Sequence, residues 1–328
     1  MSATRRLVGP DVVRAVAMFG VVLMNYHGYL ILRDGQRPTG TIASILDPWE
    51  GPLANRFAAT FVLTAGVGVS LMTRRDRSAE MRWRLVRRGL VLYGLGMVFD
   101  MIWPGTILPY YGAMFILAAT AITLPVWAIA TAGIAAAAIG AAITPPSAGF
   151  HSPTGLIIEV VFHGTHPLFP WLIYFCAGII LGRYLFTDWW RPIAAAVGAG
   201  SLIFAIVIAV GSGDSLAPPS RSLPSTLGAL GVALLAFVAI FTIAERWSQT
   251  AVIDRLRRAG QLSLSIYLVH GLVFNLMVDW LDLVQPGGLA ISVSFTVIVW
   301  LVTIGMASAY QERFGRGPAE TLYRRLTA

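Results

Sequence analysis

Lysine is absent from this sequence, and all 24 basic residues are Arg. We read that as coding bias without functional content. Charge of either sign is scarce, at 12% of 328 residues. A soluble domain carries about 25%, so the composition excludes an ordinary soluble globular chain. Cysteine is nearly missing too. Cys176 alone excludes an intramolecular disulfide and any multi-Cys metal site, and its apolar neighbours predict a packed core thiol. Strand-type alternation, a Walker motif, a dinucleotide fingerprint and repeats of about 20–50 residues are all missing. His163 and His166 form a spaced pair in HGTH, but the H-E-x-x-H helix pattern is lacking, so no metal is expected.

What the chain has is apolar length. It is 56% hydrophobic with a mean hydropathy of +0.71. Gly, Pro and Arg punctuate ten candidate spans, at 9–32, 54–73, 86–103, 106–124, 126–143, 167–186, 192–211, 223–244, 262–281 and 288–309. The fold class is all-α: a polytopic integral membrane helix bundle of about ten transmembrane helices, forming one domain over residues 1–328. With both termini in the cytoplasm, 19 of the 24 Arg fall in cytoplasmic segments. Seven of them lie between Arg74 and Arg88. Only Arg33, Arg37, Arg56 and Arg221 fall outside, and Arg14 lies within the first span. This positive-inside bias orients the bundle in a plasma (inner) membrane. It also accounts for the net charge of +8, so no nucleic-acid partner is expected and the lipid bilayer is the first partner. Arg5 and Arg6 precede a first span too long for a signal peptide, which is expected to stay attached. Trp83, Trp189, Trp190 and Trp247 fall at inner boundaries, and Trp49, Trp103, Trp171 and Trp280 at outer ones, as aromatic belts would.

The first span, GPDVVRAVAMFGVVLMNYHGYLIL, is the segment that composition leaves unexplained. It carries Asp11, Arg14, Asn25 and His27 into a bilayer, where polar groups cost several kcal/mol unless paired or facing a cavity. At 100° per residue, Arg14, Met18, Val21 and Asn25 share one stripe, with Asp11 about 40° away. Asp11 and Arg14 can pair at i,i+3, and Asn25 lies about 16 Å further along the axis. A polar line therefore runs from the inner face towards the outer one. His27 is turned about 200° from Asn25, so the two face one cavity only if the helix frays near Tyr26–Gly28. Four histidines, at 27, 163, 166 and 270, sit at the outer face or within the bundle, where His is the side chain readiest to move protons. His166 precedes the Pro that opens the sixth span, beside a helix N-terminus. Asp47, Glu50 and Asp100 are candidates for orienting a base. Exposed loop residues such as His151 and Glu159 are expected to be solvated, and GSGDSLAPPSRSLPS reads as a plain connector. The cytoplasmic run RRDRSAEMRWRLVRR is a topology determinant. Its Arg87 and Arg88, at the mouth of the third span, are placed to hold phosphate.

The pattern D-x-x-R-A-x-A-x-x-G-x-x-x-x-N from Asp11 to Asn25 resembles the first span of the YeiB-like and heparan-α-glucosaminide N-acetyltransferase-like membrane proteins. ANRFAATFVLTAGVGVSLMTRR is similar to their second helix, and HPLFPWLIYFCAGIILGR to their mid-chain Pro-Trp helix. GQLSLSIYLVH and RFGRGPAETLYRRLT look like the C-terminal signatures of the YeiB-like branch. The resemblance implies a transmembrane acyltransferase. Cytosolic acyl-CoA, acetyl-CoA in the first instance, is the donor, its pantetheine arm threads the bundle, and the acyl group reaches an acceptor outside. Asn25 matches the family's first-helix Asn, whereas Gln36 stands where its loop His is expected. On chemical grounds the candidate catalytic set is Asn25, His27, His166 and Asp47, of which only Asn25 matches a family residue, and the candidate CoA-binding set is Asp11, Arg14, Arg87 and Arg88. The expected acceptor is an extracytoplasmic sugar, glycolipid or small amine or hydroxyl, and a homodimer is one oligomeric state open to the chain. A transporter for a small polar metabolite and a non-catalytic envelope scaffold are the competing readings.

Overall fold

The computed structural model describes residues 7–143, 146, 147, 152–213, 216 and 221–328. Among the described residues the secondary structure is helical and no strand is present. Each of the ten predicted spans coincides with a helix. They are α1 (Gly9–Asp34), α3 (Arg56–Met72), α4 (Ala79–Asp100), α5 (Leu108–Ala121), α6 (Val126–Ala142), α8 (Leu168–Tyr184), α9 (Trp190–Ser212), α10 (Leu223–Arg246), α12 (Ser263–Phe274, continued by a π-helical stretch Asn275–Trp280) and α13 (Gly288–Phe314). Between them lie α2 (Thr41–Ile45), α7 (Pro153–Ile158), α11 (Ala251–Gln261) and α14 (Pro318–Leu326). Among the described residues five helices are long and apolar enough to cross a membrane: α1, α9, α10, the α12 unit and α13. Thr154–His163 and α8 form a sixth if that pair, bent by 62°, counts as one span. α3, α5 and α6 are apolar but shorter, and α4 carries Arg82, Arg84, Arg87 and Arg88. The chain is a multi-pass, all-helical membrane protein.

Local chemistry sets these boundaries. α1 opens with Pro10 in its first turn and Asp11 at the positive end of the helix dipole. It closes at Gly35, whose φ of 68° is the left-handed conformation of a C-terminal cap and whose N–H donates to the Ile31 carbonyl. Ser78 caps α4 by accepting from the Met81 N–H, and Thr250 caps α11 by accepting from the Ile253 N–H. Outward-facing apolar side chains on α9 and α13, such as Val210 (81% exposed) and Met306 (69%), fit a lipid-facing surface. Trp83, Trp189, Trp247 and Trp280 are exposed as a belt requires. Trp103, Trp171 and Trp190 are instead buried in the protein, so position near a helix end did not make them interfacial.

The chain forms two compact units, Met1–Phe61 with Leu235–Thr321, and Val62–Leu234 with Leu322–Ala328. In the first, α1 packs against α11, α12 and α13. The closest approach is at Gly260, where a Cβ would stand 1.8 Å from the Asp11 carbonyl oxygen. In the second unit, α4 packs on α5 and α6 on α8. α3 and α8 meet backbone to backbone, with a Cβ at Gly178 falling 2.0 Å from the Leu63 carbonyl and one at Gly66 falling 2.2 Å from that of Phe175. Small residues at such contacts let helices approach in lipid, where apolar burial gives little drive to associate. Cys176 is buried, as its sequence context predicts.

Replacing Gly260 by Ala forces backbone against backbone, and we expect a loss of at least about 1–3 kcal/mol of stability. Gly200→Ala, with open space around its Cβ, should cost nothing measurable. Thermal denaturation of both variants in detergent checks the difference.

Candidate functional site

The polar side chains of α1 are not left facing lipid. Asp11 accepts from Gln261 Nε2 at 2.8 Å, and Gln261 Oε1 in turn accepts from Gln311 Nε2 at 2.7 Å. Arg14 lies 4.0 Å from Asp11, at the edge of ion-pair range, with its side chain 25% exposed. The i,i+3 pairing read from the sequence is therefore loose, and the firmer bond to Asp11 comes from Gln261 at the end of α11. The N–H groups of Val8 and Gly9, unpaired by helix geometry, both donate to Glu245 Oε1 at 2.8 Å.

Further along, Asn25 Nδ2 lies 3.4 Å from His270 Nε2. His270 is 1% exposed, and its Nδ1 bonds the Tyr267 carbonyl one turn back on α12. Tyr26, fully buried, donates its hydroxyl to the His270 carbonyl at 2.7 Å and stacks on Phe295 at 4.8 Å. Sequence reasoning noticed His270 but did not join it to Asn25. The two are 245 residues apart, and only the packing of α1 on α12 brings them together.

His27 occupies another face of α1, because the helix runs without a break to Asp34 and does not fray at Tyr26–Gly28. Its Nδ1 is 3.0 Å from Ser292 Oγ, whose hydroxyl donates to the Gly288 carbonyl at 3.2 Å. With the Ser hydrogen spent there, Ser292 accepts from Nδ1–H, so His27 Nε2 carries the lone pair. That nitrogen is buried and has no hydrogen-bond partner, and the residue lines a narrow cleft with Asp34, Gln36, Gly287 and Ser292. A buried imidazole lone pair without a partner can accept a proton or a donor group from a ligand entering the cleft. Gly28 lets Pro48 and Trp49 lie against α1 beside His27. Asp47, at the start of that loop, accepts from the Trp49 and Glu50 N–H groups at 2.9 and 2.8 Å, and its charge acts on His27 through space. Arg37 pairs with Glu50 at 2.8 Å and lies 3.7 Å from Asp47.

The remaining predicted residues belong to the second unit. His166 follows the π-helical turn Glu159–His163, holds Thr165 Oγ1 at 2.9 Å through Nδ1, and lies edge-on to Trp171 at 4.5 Å. The carbonyls of Phe162, His163 and Gly164 accept from Arg221, so GSGDSLAPPSRSLPS is more than a connector where it is described. Glu159 is 6% exposed and bonds Ser147 at 2.5 Å, which corrects its expected solvation. Its burial follows from the π turn, which the sequence does not signal. His151 lies outside the described residues. Asp100 accepts from the Gly105 and Thr106 N–H groups and organises its own turn. Arg87 donates to the Ala328 carbonyl at 2.6 Å, and Arg88 lies 5.7 Å from the Tyr323 ring centroid. The Nε atoms of both arginines are buried without a partner. Among the described residues no three His, Cys, Asp or Glu side chains gather as a metal site.

A multi-pass helical bundle with paired polar groups along its first helix defines a class, and comparison with known families narrows it. The family described as "Heparan-alpha-glucosaminide N-acetyltransferase, catalytic" matches residues 6–217, nearly two-thirds of the chain. The chain belongs to that family, within the wider YeiB-like superfamily. The family described as "Protein of unknown function (DUF418)" matches residues 185–328. No curated protein matches.

Ser292→Ala removes the acceptor that orients His27 and leaves Nδ1–H unpaired in a buried position. A loss of about 1–3 kcal/mol in stability is expected by thermal denaturation. Ser292→Thr, which keeps the hydroxyl, should lose less.

Proposed function

We propose that this protein is an acyltransferase that moves an acyl group, acetyl first, from cytosolic acyl-CoA to an acceptor outside the membrane. The acceptor is a sugar, glycolipid or small molecule with an amine or hydroxyl. The observation that carries the reading is membership of an N-acetyltransferase catalytic family over residues 6–217, a stretch that contains Asn25. In this reading the whole of residues 1–328 works as one domain of ten spans in the plasma membrane, with both termini cytoplasmic. The Arg distribution supports that orientation.

The roles follow from chemistry. The Asn25 carboxamide donates to the thioester carbonyl oxygen as negative charge builds on it. The candidate base for the proton of the attacking amine or hydroxyl is His27, whose Nε2 is buried without a partner. Because it stands on another face of α1 from Asn25, it reaches the reacting centre only through the bound acceptor or a water. Asp47 steadies the cation that forms. Arg87 and Arg88, whose Nε atoms lack partners, bind the CoA phosphates. Acyl-CoA is the substrate, and the proposed reaction needs no metal.

The transporter reading gains one observation, the 62° break between Thr154–His163 and α8. Broken helices in transporters come in matching halves, and among the described residues this is a single break.

Acetyl-CoA at about 100 times its Kd should stabilise the purified protein by about 2.7 kcal/mol. Asn25→Ala should keep that shift and lose about 10²–10³-fold in acyl transfer. Arg87→Ala with Arg88→Ala should lose the shift. Wild-type protein that is folded yet indifferent to saturating CoA would sink the proposal and make substrate flux without CoA the next assay.

A further inference from the structure

We infer that His270 is a positioning residue for Asn25, fixing through its Nε2 lone pair the direction in which the Asn25 carboxamide faces. The inference rests on the role proposed for Asn25. His270 Nδ1 meets the Tyr267 carbonyl, which can only accept, so Nδ1 carries the ring hydrogen. In the neutral ring Nε2 then holds the lone pair, and it lies 3.4 Å from Asn25 Nδ2. One N–H of Asn25 therefore donates to His270. The second N–H and Oδ1 of the same amide stay available to a reactant. Turning the amide over would bring Oδ1 against the Nε2 lone pair, two acceptors facing each other at a histidine that is 1% exposed.

The ring has little freedom to yield. Its backbone carbonyl is held by the Tyr26 hydroxyl at 2.7 Å, and Tyr26 is wedged against Phe274 and Phe295 at 5.1 and 4.8 Å. Tyr26 is the neighbour of Asn25 in sequence, so one turn of α1 grips α12 from both sides of the imidazole. Tyr267 lies over the ring at 4.8 Å between centroids. This arrangement presets the amide before any substrate arrives, so the donor is already oriented when charge develops.

Two substitutions separate positioning from simple packing. Gln at this position carries a polar atom near the place of Nε2, and Asn carries one near the place of Nδ1. His270→Gln should retain kcat within about threefold, whereas His270→Asn should lose about 10²-fold, both with KM for acetyl-CoA unchanged. The reverse ranking would mean that only the Tyr267 contact matters, and would overturn the inference. Nitrogen NMR of ¹⁵N-histidine-labelled protein reads the same point without turnover. We expect His270 as the Nδ1–H tautomer, with an Nε2 resonance that moves in Asn25→Ala. An Nε2–H tautomer, or no response to Asn25→Ala, would overturn it. Absence of acyl transfer by wild-type protein counts against the acyltransferase reading alone, since the tautomer is measured without substrate.

Discussion

The polar groups that α1 carries into the apolar bundle take their partners from within it, His27 Nε2 excepted, because lipid and packed side chains offer none. The partners come from the far end of the chain. Glu245 takes the N–H groups at the start of the helix, Gln261 takes Asp11, His270 takes Asn25, Ser292 takes His27 and Asp279 takes Arg33. Each bond contributes about 0.5–1.5 kcal/mol net, but a missing one in such a place costs more than that. The result is a helix fastened along its length to α11, α12 and α13. Gly260 completes the fastening by letting the α11 backbone touch Asp11.

The same constraint shapes the candidate site. Asn25 is polar where an anchor would be apolar, and its amide is occupied on one side by His270. His27, two residues on, turns to a different face, lines a cleft and leaves one ring nitrogen buried without a partner. A carboxamide with one N–H committed can meet an oxyanion and an unpartnered imidazole nitrogen can take a proton, but the two stand on different faces of α1. The two family matches divide this assembly. The acetyltransferase match includes α1, while Glu245, Gln261, His270, Asp279 and Ser292 all lie within residues 185–328.

The ten long apolar helices were legible in the sequence, since each is a run of apolar residues ended by Gly, Pro or Arg, whereas α2, α7, α11 and α14 were not. So was the anomaly of α1, because a helix wheel needs no tertiary information. What stayed hidden depends on contacts across more than 200 residues. The wheel could place Asn25 on a stripe but could not say that His270 faces it. It offered Arg14 as the partner of Asp11, whereas the shorter bond comes from Gln261. Local exceptions were equally silent. The π-helical turn that buries Glu159 has no periodicity signal of its own, and Arg221 reaches its three carbonyls from a segment that reads as a loop. Trp103 and Trp171 carry the same letters as a belt residue, and only packing distinguishes them.

The central claim is that an acyl group crosses the membrane through this bundle, and vesicles test it directly. Protein reconstituted in one orientation would receive acetyl-labelled CoA on the Arg-rich face only, with an amine- or hydroxyl-bearing sugar on the other. Labelled acceptor on the far side, with CoA retained on the near side and the product lost in Asn25→Ala, is the predicted result. Acceptor that crosses unmodified, or label that appears only on the side of the CoA, would contradict the account.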